Sequence, residues 1–243
     1  MKRYLIVFLF LWAIPAAGAE VKFDQSYTQQ MFRDFSEEVG AAIHYRPIGP
    51  AVALGVKGFD LGVEIMATDI NENKNYWKKG VENQSPPSYL LNSRIHFLKG
   101  LPFGFDVGVA LGKVLDPDIP YVGGEARYEI LQDKGLRPGL SIRGYYSQTL
   151  NVDQLDLKAY GVDLSVSKGL GVGIKIIPYA GIGQYWVSSK PQNLTSGLRL
   201  DKEEFSTPYG FLGARLQMVL LSVTAQVDYG VVPSFNLQFG FIF

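Results

Sequence analysis

Cysteine is absent from the chain, which removes disulfides, thiolate nucleophiles and cysteine-bound metals together. Stability must then come from packing and hydrogen bonding alone. Histidine is nearly absent too. His44 and His96 are the only two, too few for a histidine metal cluster, and the carboxylates follow no calcium-loop spacing. No metal and no cofactor is therefore expected. Excess charge is also lacking, with 23 basic residues against 23 acidic ones, which excludes nucleic acid as a partner and strong attraction to an anionic surface. Beyond residue 19 there is no apolar run of the roughly 20 residues that a membrane-spanning helix needs.

The first residues are of a different kind. Lys2 and Arg3 precede an uncharged run from Tyr4 to Ile14, then Pro15 and the small residues Ala17-Gly18-Ala19. Charged start, apolar middle and small exit predict a secretory signal over residues 1–19, cleaved after Ala19.

What the remainder has in abundance is dispersed apolarity: 47% hydrophobic residues, 27 Gly, 14 Tyr and 15 Phe. These alternate. Phe105, Val107, Val109 and Leu111 take one face of a stretch running from Phe103, while Gly104, Asp106, Gly108 and Ala110 take the other. A period of two is a strand, since a helix would mix the two sets. The same pattern recurs from Phe59, Tyr89, Val122, Leu140, Tyr160, Ile174, Phe211, Leu221 and Phe235, making ten strands. A soluble sandwich with one wet face would also alternate. Two features favour a barrel that crosses a bilayer. Tight turns at 99–102, 132–135 and 167–169 interleave with longer polar stretches at 70–88, 115–120, 149–156 and 188–207, as when one barrel rim carries turns and the other loops. Only the hairpin at Met218-Val219-Leu220 lacks a turn residue. With the apolar face outward, Tyr89, Tyr160, Trp186, Tyr229 and Phe235 also gather near the long-loop end, and Phe59, Phe97, Phe103, Phe105, Tyr128 and Phe243 near the other. Two aromatic bands with aliphatic residues between them match interfacial girdles.

The last strand sets Phe235, Leu237, Phe239, Phe241 and Phe243 on alternate positions and ends on Phe. It resembles the C-terminal signature of Gram-negative outer-membrane β-barrel proteins. The resemblance covers that one strand and identifies a class, not a family within it. It implies an outer-membrane location, surrounding lipid and lipopolysaccharide, and recognition by the barrel-assembly machinery during biogenesis. The fold class is thus an all-β, up-and-down antiparallel barrel of ten strands over residues 51–243.

Residues 20–50 do not alternate. Tyr27, Met31 and Phe35 are four apart, with Ser26 and Gln29 as a capping box, so a short amphipathic helix is predicted in the periplasm, at the rim or inside the lumen. Gly40–Arg46 reads as a further short strand ended by Pro47-Ile48-Gly49-Pro50; if it spans, even parity requires twelve strands. The inward face carries Asp60, Glu64, Arg94, His96, Asp106, Glu125, Arg127, Glu129, Arg143, Asp163, Lys175, Arg215 and Asp228. Buried charge must be paired or hydrated. These groups therefore line either a sealed polar core or a narrow porin-like passage for small polar solutes. Inward glycines at 104, 108, 161, 181, 183, 213 and 240 suggest free volume and favour the passage. The alternative is a non-conducting structural or surface-binding barrel that acts through its loops. The loop 71–87, with Trp77, Lys78 and Lys79, reads as solvated surface. Catalysis is not expected: Asp116 and Asp118 lack a third partner, and Asp-Pro-Asp is ordinarily a turn.

Overall fold

The computed structural model describes residues 19–243, so the expected leader lies outside the described residues except for Ala19. Ten strands follow one another: β1 (Phe59–Asp69), β2 (Tyr89–Gly100), β3 (Phe105–Val114), β4 (Ile119–Leu131), β5 (Gly139–Thr149), β6 (Leu155–Ser167), β7 (Lys175–Pro191), β8 (Glu203–Met218), β9 (Leu221–Tyr229) and β10 (Ser234–Ile242). Each pairs antiparallel with its sequence neighbours, and β1 pairs with β10 to close the barrel. No helix among the described residues is long and apolar enough to cross a membrane.

The strand count is ten, not twelve. Residues 40–43 end the helix α1 (Gln29–Ile43), and 44–54 form an extended link rather than a paired strand. The helix is capped by Thr28, whose Oγ1 accepts from Met31 N at 3.3 Å, while Ser26 turns back onto Asp24. Phe103 is not in a strand either. It sits in a single 3₁₀ turn, Pro102–Gly104, and leaves β3 to begin at Phe105.

The contrast in connection length is weaker than expected. One end carries 70–88, 115–118, 150–154, 192–202 and 230–233; the other carries 101–104, 132–138, 168–174 and 219–220. The polar stretch 188–207 is a loop at 192–202 flanked by strand, because β7 runs on to Pro191, β8 begins at Glu203, and the two pair as far as Ser189↔Glu203. Part of its polarity therefore belongs to strand ends that flank the loop. Val219-Leu220 is a genuine two-residue hairpin, and neither residue has a positive φ.

Faces sort as the alternation requires. On β10 Phe235, Leu237, Phe239 and Phe241 are exposed outward, while Ser234, Asn236, Gln238 and Gly240 are buried inward. Aromatic contacts mark the outer surface at both levels: Phe59 stacks on Phe243 and Phe105 meets Tyr128 near the short-turn end, with Tyr160 on Trp186 above.

The inward glycines are not voids. A Cβ on Gly161 would strike the Tyr145 ring, on Gly181 the Phe211 ring, and on Gly213 the Tyr179 ring. Each glycine is the socket in which an aromatic from the adjacent strand lies flat, so glycine and ring together fill the lumen. Gly144 faces outward with nothing within 4 Å. Replacing Gly161 by Val is expected to lower stability by about 1–3 kcal/mol through overpacking, while Gly144→Ala stays within about 0.5 kcal/mol. Urea midpoints of the heat-modifiable folded band measure both; equal midpoints would contradict the socket role.

Candidate functional site

The site is the lumen, and the chain's own N-terminal segment fills it. Residues 19–28 lie at the long-loop end. There Ala19 is held by Asp116 and the Asp118 N–H, and Val21 bridges to Val81 in the loop 70–88. Helix α1 then occupies the upper lumen. Ser36 meets Ser189 of the wall at 2.8 Å, Asn92 donates to Ala42 O at 3.1 Å, and Ser147 to Ile43 O at 2.8 Å. From His44 the chain descends extended to Leu54, and Phe59 opens β1 at the opposite rim beside Phe243.

The wall that receives this segment is built from register-opposed charges. Glu64 on β1 faces Arg94 on β2, Asp106 on β3 faces Arg127 on β4, and Asp163 on β6 faces Arg143 on β5. Each pair is in contact and buried. A guanidinium has more N–H groups than one carboxylate can accept, and part of the surplus goes to the segment, while Arg143 Nη2 has no hydrogen-bond partner among the described residues. Arg94 Nη2 donates to Arg46 O at 2.9 Å, Arg127 Nη1 to Pro50 O at 2.9 Å, and Arg143 Nη1 to Pro47 O and Gly49 O, both at 3.2 Å.

The segment suits this role because Pro47 and Pro50 carry no N–H. Its carbonyls are bonded by the wall, and fewer donors are left to satisfy than in an ordinary extended strand. The donors that follow find wall acceptors: Ala51 N reaches Ser167 Oγ, and Leu54 N reaches Asp106 Oδ1, each at 3.0 Å. Gly49 holds φ at 137°, where a Cβ would also meet the Arg215 guanidinium at 2.7 Å, so only glycine fits.

Of the thirteen candidate lumen residues, Asp60, Glu64, Arg94, His96, Asp106, Arg127, Arg143, Asp163, Arg215 and Asp228 are buried inside. Asp60 forms an ion pair with Arg215 at 3.1 Å and lies 3.3 Å from His96 Nε2. His96 Nδ1 is 2.9 Å from Glu64, though not in line for a hydrogen bond. Glu125 and Glu129 are half-buried against the segment, taking Tyr45 OH and Ala53 N at 3.2 and 3.4 Å. Lys175 is exposed at the first residue of β7, on the rim rather than in the lumen.

Several partners were not foreseen. Arg46, in the segment itself, approaches Asp228 at 3.8 Å. His44 stacks on Tyr185 at 4.1 Å, and Tyr145, Tyr209 and Asp163 form a hydrogen-bonded chain. The signal was present in Arg46-Pro-Ile-Gly-Pro50, which reads as a strand terminator until the wall arginines are known to need acceptors.

The long-loop end is closed by a second polar contact. Buried Glu38 on α1 accepts from Trp77 Nε1 at 2.5 Å, Tyr76 OH at 2.8 Å, and both nitrogens of Asn71 at 3.2 Å. Trp77 is fully buried against Phe35. The loop 70–88 is therefore pinned over α1 by Trp77, while residues 71, 73–75, 78, 82–85 and 88 remain exposed at its surface. Asp116 and Asp118 contact Ala19, the last residue of the expected leader, and Asp118 also forms an ion pair with Lys113 at 2.8 Å. Among the described residues no group of three His, Cys, Asp or Glu side chains is placed to hold a metal ion.

These features define a class: a closed up-and-down barrel with an apolar exterior and a polar lumen, filled by its own N-terminal segment. No protein-family model matches the sequence, and no curated protein matches it. Solved structures do match in outline. The N-terminal β-barrel domain of Pseudomonas aeruginosa OprF aligns at 15% identity over 76% of this chain and 97% of its own, with a TM-score of 0.34. Ail, the attachment invasion locus protein of Yersinia pestis, aligns at 15% over 76% and 98%, with a TM-score of 0.32. The outer membrane protein OprG of Pseudomonas aeruginosa aligns at 10% over 80% and 99%, with a TM-score of 0.38.

Removing one partner of a buried pair leaves an uncompensated charge. Arg94→Met strands Glu64 and strips Arg46 O of its donor, with an expected cost of about 3–5 kcal/mol. Pairing it with Glu64→Gln should recover part of that loss. Denaturant midpoints of the two variants test the coupling, and equal midpoints would show that the two side chains act independently.

Proposed function

We propose that this chain is an integral outer-membrane barrel whose lumen is sealed by residues 20–54, and that it works through the surface of its long-loop end rather than by conduction. The observation that carries this reading is the threading of the segment along the lumen, bonded to wall arginines at Arg46, Pro47, Gly49 and Pro50. The apolar exterior, the two aromatic levels and the final alternating strand support a membrane position. The leader over residues 1–19, cleaved after Ala19, belongs to the same proposal and supplies the export step. On this reading the assembly machinery and surrounding lipid are the partners during and after biogenesis. The surface offered outward is composite, made of residues 20–28, the cap 70–88 and the β7–β8 hairpin.

A narrow passage for small polar solutes is the second reading, supported by the charged lumen wall. It applies to the barrel only with the segment displaced. In planar bilayers the intact protein is expected to give no conductance steps, and a chain lacking residues 20–54 is expected to give them. Steps from the intact protein would overturn the sealed reading.

The orientation has its own test, because the chain lacks cysteine. A Gln25→Cys variant should react with a membrane-impermeant maleimide on whole cells. Leu136→Cys, on the opposite rim, should react only after the cells are permeabilised. The reverse pattern would invert the proposed topology.

A further inference from the structure

The even overall charge conceals a segregation between the two ends. Residues 55–58, 99–104, 132–138, 167–175 and 217–220 make up the short-turn rim. They contain Lys57, Lys99, Lys134, Arg137, Lys168 and Lys175 against one acid, Asp133. Asp133 is paired with Lys168, so five cations remain without an ion pair among the described residues. At the long-loop end, residues 19–38, 69–88, 113–118, 150–158 and 190–204 hold fifteen acids and ten bases. The rim also presents bare apolar side chains, one on every short connection: Phe103 is 91% exposed, Leu136 98%, Val172 100% and Val219 84%. Phe103 is held there at φ 63°, in the left-handed region that disfavours a bulky side chain.

Long basic side chains beside exposed apolar ones are the composition of a surface lying in a lipid headgroup layer, where apolar parts insert and charged ends reach phosphate. The placement favours lipid over a protein partner. The four apolar tips belong to four different hairpins and so surround the barrel, whereas a protein docks on one contiguous patch. They are also continuous with the aromatic level of Phe59, Phe97 and Phe105, which borders the apolar exterior.

We propose that the short-turn rim is a binding surface for anionic phospholipid headgroups, its unpaired lysines and Arg137 holding phosphate while the tips sink beside the glycerol backbone. This rests on the membrane-barrel reading above.

Lys57, Lys134 and Lys175 are exposed and make no side-chain hydrogen bond or ion pair among the described residues, which suits them to a test. The full-length protein is released from micelles holding equal amounts of phosphatidylglycerol and phosphatidylethanolamine, and bound lipid is counted by native mass spectrometry. The wild type is expected to retain phosphatidylglycerol preferentially. The K57Q/K134Q/K175Q variant should lose about fivefold in retention per charge removed. Heat-modifiable migration of the same samples reports whether the barrel itself is intact, which separates failure of the rim proposal from failure of the membrane reading. If the variant does not fold, wild type in about 0.5 M salt should show the same loss through screening. Equal retention of both lipids by the wild type, or a preference that survives both neutralisation and salt, overturns the proposal. So does capture of soluble polyglutamate in place of phosphatidylglycerol, which would assign the rim to an acidic protein.

Discussion

An arginine facing a narrow lumen presents more donors than its carboxylate partner can take, and this mismatch organises the rest of the molecule. Arg94, Arg127 and Arg143 each meet an acid directly across the ladder, yet each still has nitrogens directed inward. In a buried interior those donors cost free energy unless something accepts from them. A passage of bulk water would do so; here the carbonyls of a proline-rich segment do it instead. The wall charges, the prolines, Gly49 and the occupied lumen are linked consequences of that one requirement.

Aromatic packing does for the apolar part of the lumen what the arginines do for the polar part. Tyr145, Tyr179 and Phe211 lie over glycines of neighbouring strands, so ring faces cover bare backbone and little space remains between segment and wall. Above them, Glu38 joins α1 to Trp77, Tyr76 and Asn71 of the cap. A carboxylate with four neutral donors and no cation among its hydrogen-bond partners is a directional fastening, since its strength depends on all four groups staying in place. The segment is therefore fixed at its top by hydrogen bonds to one acid and along its length by cations from the wall.

Much of this was legible in the residues. Alternation placed all ten strands because it reflects a local fact, the opposite facing of successive side chains. The inward charges could likewise be named individually from parity. What a period of two does not carry is depth or company. It could not tell that Lys175 stands outside the lumen, or that β7 and β8 run on into the polar stretch 188–207. The inward glycines look like empty space when each strand is read alone, and become sockets only once the neighbouring ring is known. Residues 44–54 were the hardest, because their backbone is satisfied by side chains distant in sequence, and no local pattern records such a debt.

The position of the N-terminal residues has a consequence for how the barrel is made. Val21 sits at one mouth while β1 starts at the other, so the segment runs along the axis that the sheet encloses. The closing seam joins Asp60 to Ile242 and Thr68 to Ser234, contacts between opposite ends of the chain. Such a seam has the largest sequence separation of the barrel's ladders and so the largest loop-closure cost. An open, curling sheet can accept the segment from the side, whereas a finished cylinder would require end-on threading past buried arginines. In the finished barrel the β1–β10 ladder therefore encloses the segment as a seam encloses a core.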